Sequence, residues 1–87
     1  MSSAVLLYIE HLSRVRRLSS ATVRAYRSDL SDLTDFLRDP DLGDVDVEHL
    51  REWLWDATQR GISRTTLSRR TASIRGFFGW AMEEGML

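Results

Sequence analysis

Between residues 20 and 38, Val23, Tyr26, Leu30, Leu33 and Leu37 recur at alternating intervals of three and four. An α-helix turns about 100° per residue, so this spacing gathers all five on one side. A strand would scatter them over both faces. Threes and fours continue through the rest of the chain, and no stretch alternates apolar and polar residues with β-branched enrichment. Only one Pro and five Gly interrupt the 87 residues. The chain therefore reads as all-α: one domain over residues 1–87, a compact bundle of four helices in two helical hairpins.

The punctuation predicts where each helix runs. Helix 1 is expected from Ala4 to Arg16, with Val5, Tyr8, Ile9, Leu12 and Val15 on one side and Leu6 and Leu7 off that stripe. Helix 2 is expected from Ser20 to Arg38, capped by Ser19, and "RDPDLGDVD" follows as a loop broken by Pro40 and Gly43. Helix 3 is expected from Val47 to Arg60, with Asp46 as N-cap, Glu48 favouring the positive helix start and Gly61 as the stop. Val47, Leu50, Leu54 and Ala57 are assigned to its inner face, Trp53 to one flank and Trp55 to the other. Helix 4 is expected from Arg64 to Glu84, between the Ser63 cap and Gly85, with Leu67, Ile74, Phe77, Phe78 and Ala81 inward.

Two of these starts rhyme. "LSSATVRAYRSDL" begins at Leu18 and "ISRTTLSRRTASI" at Ile62. Each opens on an aliphatic residue, then Ser, two variable residues, Thr and another aliphatic. Leu18 with Val23, and Ile62 with Leu67, make a hydrophobic staple around a Ser cap. Each continues into Arg-rich helix.

Net charge is −1, but it is unevenly spread. Residues 1–28 sum to +4, residues 29–59 to −8 and residues 60–87 to +3. A nearly neutral chain of this kind can still carry a basic face. All 12 basic residues are Arg. A GC-rich coding bias accounts for that, and so does the planar guanidinium fork that suits phosphate and guanine. There is no Cys, so neither disulfides nor thiolate metal sites are expected. No apolar run approaches the ~20 residues that span a bilayer. "MSSAVLLYIEHL" lacks the basic lead of a signal peptide. The expectation is a soluble, cytoplasmic protein with no membrane partner.

On helix 2, Ser20, Arg24, Arg27, Ser28 and Ser31 share a polar sector beside the apolar stripe, while Asp29 and Asp32 lie elsewhere around the cylinder. On helix 4, Arg64, Thr65, Ser68, Arg69, Ala72, Arg75, Gly76 and Gly79 occupy the far side and one flank. Arg mixed with Ser and Thr near the positive start of a helix is a phosphate-gripping pattern. Helix 3, with Glu48, Glu52 and Asp56, lacks it. A solvated charged face is the ordinary reading of one such helix. Two helices with matched openings favour the phosphate reading.

These stretches, taken in order, resemble a known family. "LSSATVRAYRSDLSDLTDFL", "DVDVEHLREWL" and "RGISRTTLSRRTASIRGFFGWAMEEGML" are similar to the N-terminal core-binding (SAM-like) domain of tyrosine recombinases and phage-type integrases. The run Ser19, Thr22, Val23, Tyr26, Asp29, Leu30 is the most specific piece, and "RTTLSRRTASIRGFFGWA" resembles the XerC type in particular. The resemblance covers about residues 4–87. It implies a bundle of about four helices in which those matching helices 2 and 4 lie across the major groove of double-stranded DNA at a recombination core site. It also implies a separate C-terminal catalytic domain, with Arg, Lys and His groups around a nucleophilic Tyr, and assembly with other recombinase subunits.

That catalytic domain is expected to be absent from this stretch, which ends at Leu87. Tyr8 and Tyr26 sit on apolar faces and read as core, and there is no Lys to act as general acid. His11 and His49 are far apart and read as surface residues. No catalysis, cofactor, metal or small-molecule ligand is expected. The candidate DNA-binding residues are Arg17, Ser20, Arg24, Arg27, Ser31, Arg64, Thr65, Ser68, Arg69, Ala72 and Arg75. Leu6, Leu7 and Trp55 are a candidate subunit interface. With the acidic middle segment they also motivate an alternative, a helical protein-interaction module. A stand-alone helix-turn-helix regulator fits less well, because helix 2 carries its own basic face and no dimerisation element is evident.

Overall fold

The computed structural model describes residues 3–38, 42, 43 and 45–86. Four helices account for most of them: α1 (Ser3–Arg14), α2 (Ser20–Leu37), α3 (Val47–Gln59) and α4 (Arg64–Glu83). Each helix ends within about two residues of the expected boundary, because the signals are local. Ser19 Oγ accepts the N–H of Thr22 at 3.2 Å, and Ser63 Oγ accepts that of Thr66 at 3.2 Å. At α3, Asp46 Oδ1 accepts the His49 N–H at 2.9 Å, while the Asp46 N–H donates to His49 Nδ1 at 3.2 Å. His49 thus stands in for the Glu or Gln of the usual capping box.

The stops follow the same logic. Gly61 (φ +79°) closes α3 and leads into the second staple. Its counterpart in the first copy is Arg17, held at φ +52° between α1 and the Ser19 cap. An L-residue there carries steric cost that glycine avoids. Arg38 (φ 55°) ends α2, its N–H donating to the Thr34 carbonyl. Pro40 of the loop lies outside the described residues. Leu42 from the same loop is buried, 1% exposed, and anchors the segment to the core.

The core is built from Val5, Tyr8 and Leu12 of α1, Leu30 and Leu33 of α2, Leu42, Trp53 and Ala57 of α3, and Ile74, Phe77 and Ala81 of α4. Val23, Tyr26, Leu50 and Leu54 pack around it half-buried. Helices α2 and α4 each touch every other helix, whereas α1 and α3 do not meet. The two helices with matched openings are therefore the central pair.

Three apolar assignments change. Val15 is 69% exposed, because α1 stops at Arg14 and the chain turns there, with the Val15 and Arg16 N–H groups both donating to the His11 carbonyl. Val47 is 61% exposed at the first position of α3, a turn before the core-packed Leu50. Trp53, placed on a flank by spacing, is fully buried. Its indole N–H donates to Asp32 Oδ2 at 2.7 Å, so its one polar group has a partner and the ring can be buried off the apolar stripe.

Gly76 is corrected as well. It does not belong to an open outer surface: a Cβ at this position would collide with the Tyr8 hydroxyl of α1. The missing side chain lets α1 and α4 approach closely around the Tyr8 ring, which meets Phe77 edge-on at 5.6 Å between centroids. Gly79 has open space around it.

Candidate nucleic-acid interface

On α2, Ser20, Arg24 and Arg27 are exposed, as are Ala21 and Ser28; Ser31 is half-buried. Arg17 is exposed in the turn just before this helix. On α4, Arg64, Thr65, Ser68, Ala72 and Arg75 are exposed. They form one continuous sector, since steps of three and four residues return to the same side. Arg64 and Ser68 also line an open groove of about 390 Å³ between α3 and α4, floored by Leu54 and Leu67 and edged by Thr58 and Thr71.

The arginines sort into three sets by their partners. Arg14, Arg51 and Arg60 pair with Glu10, Glu48 and Asp56 one helical turn away. Such exposed pairs contribute little stability, under about 1 kcal/mol each. Arg69 and Arg70 pair with acids of α2. Among the described residues, Arg17, Arg24, Arg27, Arg64 and Arg75 have no acidic partner within ion-pair distance, and neither do Arg16 and Arg38. Among the described residues, five of the six candidate arginines thus present to solvent a guanidinium with no acidic partner.

Arg69 is the exception. Its Nη2 donates to Asp29 Oδ1 at 2.6 Å and its Nε to Oδ2 at 2.9 Å, a two-pronged grip on a carboxylate that is 1% exposed. The hydrogen bond to Asp29 holds the Arg69 pKa above its ordinary value. Ser73 Oγ donates to Asp29 Oδ2 at 2.8 Å. Arg70 lies behind, 5.0 Å over the Trp53 ring, with Nη1 3.4 Å from Asp32 Oδ2. This network of Asp29, Asp32, Trp53, Arg69, Arg70 and Ser73 joins α2, α3 and α4. Spacing missed it because Asp29 and Asp32 fall outside the apolar stripe of α2. They turn toward α4 and α3 instead of solvent. A signal was available in the repeat itself, where Asp29 and Ser73 hold matching positions.

Tyr8 is 2% exposed and closed off by Phe77 and Trp80, which removes it as a surface nucleophile. Burial pushes its hydroxyl pKa above 10.0, with Tyr26 adding to the rise and Arg16 opposing it. Among the described residues, no three His, Cys, Asp or Glu side chains converge as metal ligands. No described helix is long and apolar enough to cross a membrane. Leu6 and Leu7 are each 46% exposed and Trp55 is 64% exposed, on α1 and α3 respectively.

A capped four-helix domain with two arginine-bearing central helices matches one family over residues 5–85, described as the phage integrase N-terminal SAM-like domain. The chain belongs to that family. Its similarity to individual proteins is to tyrosine recombinases XerC: 45% identity over 80 residues with that of Corynebacterium glutamicum, covering 92% of this chain and 25% of the relative. The XerC of Corynebacterium efficiens is 41% identical over 87 residues, covering 100% and 27%, and that of Bifidobacterium longum 34% over 82 residues, covering 91% and 23%. The chain spans about a quarter of the length of these relatives. No solved structure gave a significant match.

Proposed function

We propose that this domain binds double-stranded DNA as part of a site-specific tyrosine recombinase of the XerC type, acting in DNA integration or chromosome dimer resolution in the cytoplasm. The central pair α2 and α4 lies across the major groove. Arg17, Arg24, Arg27, Arg64 and Arg75 grip phosphates, with Ser20, Ser31, Thr65 and Ser68 adding hydroxyl contacts and Ala72 allowing close approach. The observation that carries this reading is the set of free guanidinium groups on the exposed sides of two helices that pack directly on each other. Catalysis belongs to a C-terminal domain of the same protein, which closes on the duplex from the other side.

Titrating the chain against a labelled duplex tests the reading. Isolated, it binds in the non-specific range of ~10⁻⁴–10⁻⁶ M, and affinity falls steeply between ~50 and ~200 mM salt. Arg24→Glu with Arg64→Glu abolishes measurable binding. Binding indifferent to salt, or unchanged in the double variant, overturns it.

The exposed Leu6, Leu7 and Trp55 favour a second role for the same domain, contact with other recombinase subunits on DNA. If Trp55→Ala abolishes self-association while Arg24→Glu with Arg64→Glu leaves duplex binding intact, the interaction role replaces the DNA-binding one.

A further inference from the structure

Two consecutive arginines of α4 converge on one carboxylate of α2, and their arrangement is the reverse of what burial favours. Arg69, whose side chain is 38% exposed, makes both hydrogen bonds to Asp29. Arg70, whose side chain is only 11% exposed, has its Nε 3.8 Å from Asp29 Oδ1 and its Nη1 3.4 Å from Asp32 Oδ2. Neither of these Arg70 atoms makes a hydrogen bond, and both are buried. The Asp32 oxygen it faces is taken by the Trp53 N–H. The inner guanidinium supplies charge but leaves its Nε and Nη1 donors idle, while the outer one, which has water available, holds the buried acid.

A buried donor without an acceptor is costly, and so is a buried carboxylate without a cation. These facts point to a second arrangement of the same groups. If Arg69 let go, Arg70 Nε would need to move by about 1 Å to reach the ordinary hydrogen-bond distance to Oδ1. Ser73 would stay on Oδ2, and Asp29 would never be left unpaired. Arg69 stands at the edge of the exposed sector of α4, one turn from Thr65 and Ala72. Its release would send a sixth guanidinium to that surface.

We propose that Asp29 is passed from Arg69 to Arg70 when α4 meets a duplex, so that Arg69 exchanges a buried carboxylate for a backbone phosphate. Arg70 is the positioning residue that makes the release cheap. The inference rests on the DNA-binding reading. Without Arg70, no other described cation pairs with Asp29, and Arg69 stays locked to the interior. The exchange also explains why a candidate contact is found tied down when the other five are free.

The test is the salt dependence of duplex binding joined to the side-chain Nε–H signals of Arg69 and Arg70 in ¹⁵N NMR of the whole chain. In the free protein the Arg69 signal is protected from water exchange. At duplex saturation that protection passes to Arg70. Arg69→Ala lowers the slope of log K against log salt by about 1, the share of one phosphate contact. Arg70→Met, which keeps the packing on Trp53, lowers it by the same amount although Arg69 is present. The double variant loses no more than either single one. Should Arg70→Met fail to fold, the wild-type Nε signals decide. An Arg69 signal still protected in the saturated complex, or a wild-type slope in Arg70→Met, overturns the exchange and leaves the DNA reading standing. A wild-type chain with no affinity for any duplex overturns both.

Discussion

Asp29 of α2 and Ser73 of α4 occupy the same place in the two repeated helix openings, 44 residues apart, and hydrogen-bond to each other at 2.8 Å. The repeat is thus a contact as well as a resemblance, because the central helices meet at matching positions. Asp29→Ala should lower stability by roughly 3–5 kcal/mol, since it leaves Arg70 buried beside a void. Ser73→Ala removes one neutral donor and should cost about 1 kcal/mol. Urea denaturation followed by circular dichroism measures both. Equal, small losses would mean that the network contributes little to holding α2 on α4.

Gly76 and Tyr8 give a paired prediction. Gly76→Ala drives a methyl group into the Tyr8 hydroxyl and should destabilise by about 1–3 kcal/mol. Tyr8→Phe removes the obstructing oxygen, so the double variant should recover most of that loss. Calorimetric melting of the two single variants and the double one gives the coupling. Additive effects would show that the ring does not hold the gap between α1 and α4.

Arg17 and Gly61 stand at matching positions with φ of +52° and +79°. Arg17→Gly should raise stability by about 1 kcal/mol, because glycine carries no Cβ penalty there. Gly61→Ala should lower it by about as much. If the proposed function holds, Arg17→Gly will also weaken duplex binding and flatten its salt dependence, so stability and affinity move in opposite directions in one variant. A loss of stability in Arg17→Gly would sink the argument.

The Tyr8 hydroxyl has a folded-state pKa above the ordinary 10.0. The folded state therefore holds its proton more tightly than the unfolded state. That stability is complete below pH ~10 and is lost as pH rises through the folded value. Alkaline titration at fixed urea should show unfolding begin above pH ~10 in wild type, with this component missing in Tyr8→Phe. An identical alkaline profile in the variant would assign the transition to other groups.

How much the sequence told depended on the range of each interaction. The Ser19, Asp46 and Ser63 caps act over three residues, so composition and order place the helix starts. The stripe Val23, Tyr26, Leu30, Leu33 and Leu37 gives the inner face of α2 because periodicity and burial coincide. Val15 and Val47 broke that rule at helix ends, where a side chain of the right phase is left largely exposed. Trp53 and Asp29 broke it in the interior. Each brings a polar group whose partner lies on another helix, and spacing within one helix carries no record of that partner. Arg69 had the position of a surface contact but not its freedom, for the same reason.

Among the described residues, the backbones of α1 and α3 do not approach each other. Leu6 and Leu7 belong to one and Trp55 to the other, so substitutions on the two should combine additively, as they do for sites without shared neighbours. Each flank can be altered without resetting the other. The domain is in this sense modular across its width, with the seam of α2 and α4 serving as the fixed spine between two exchangeable sides.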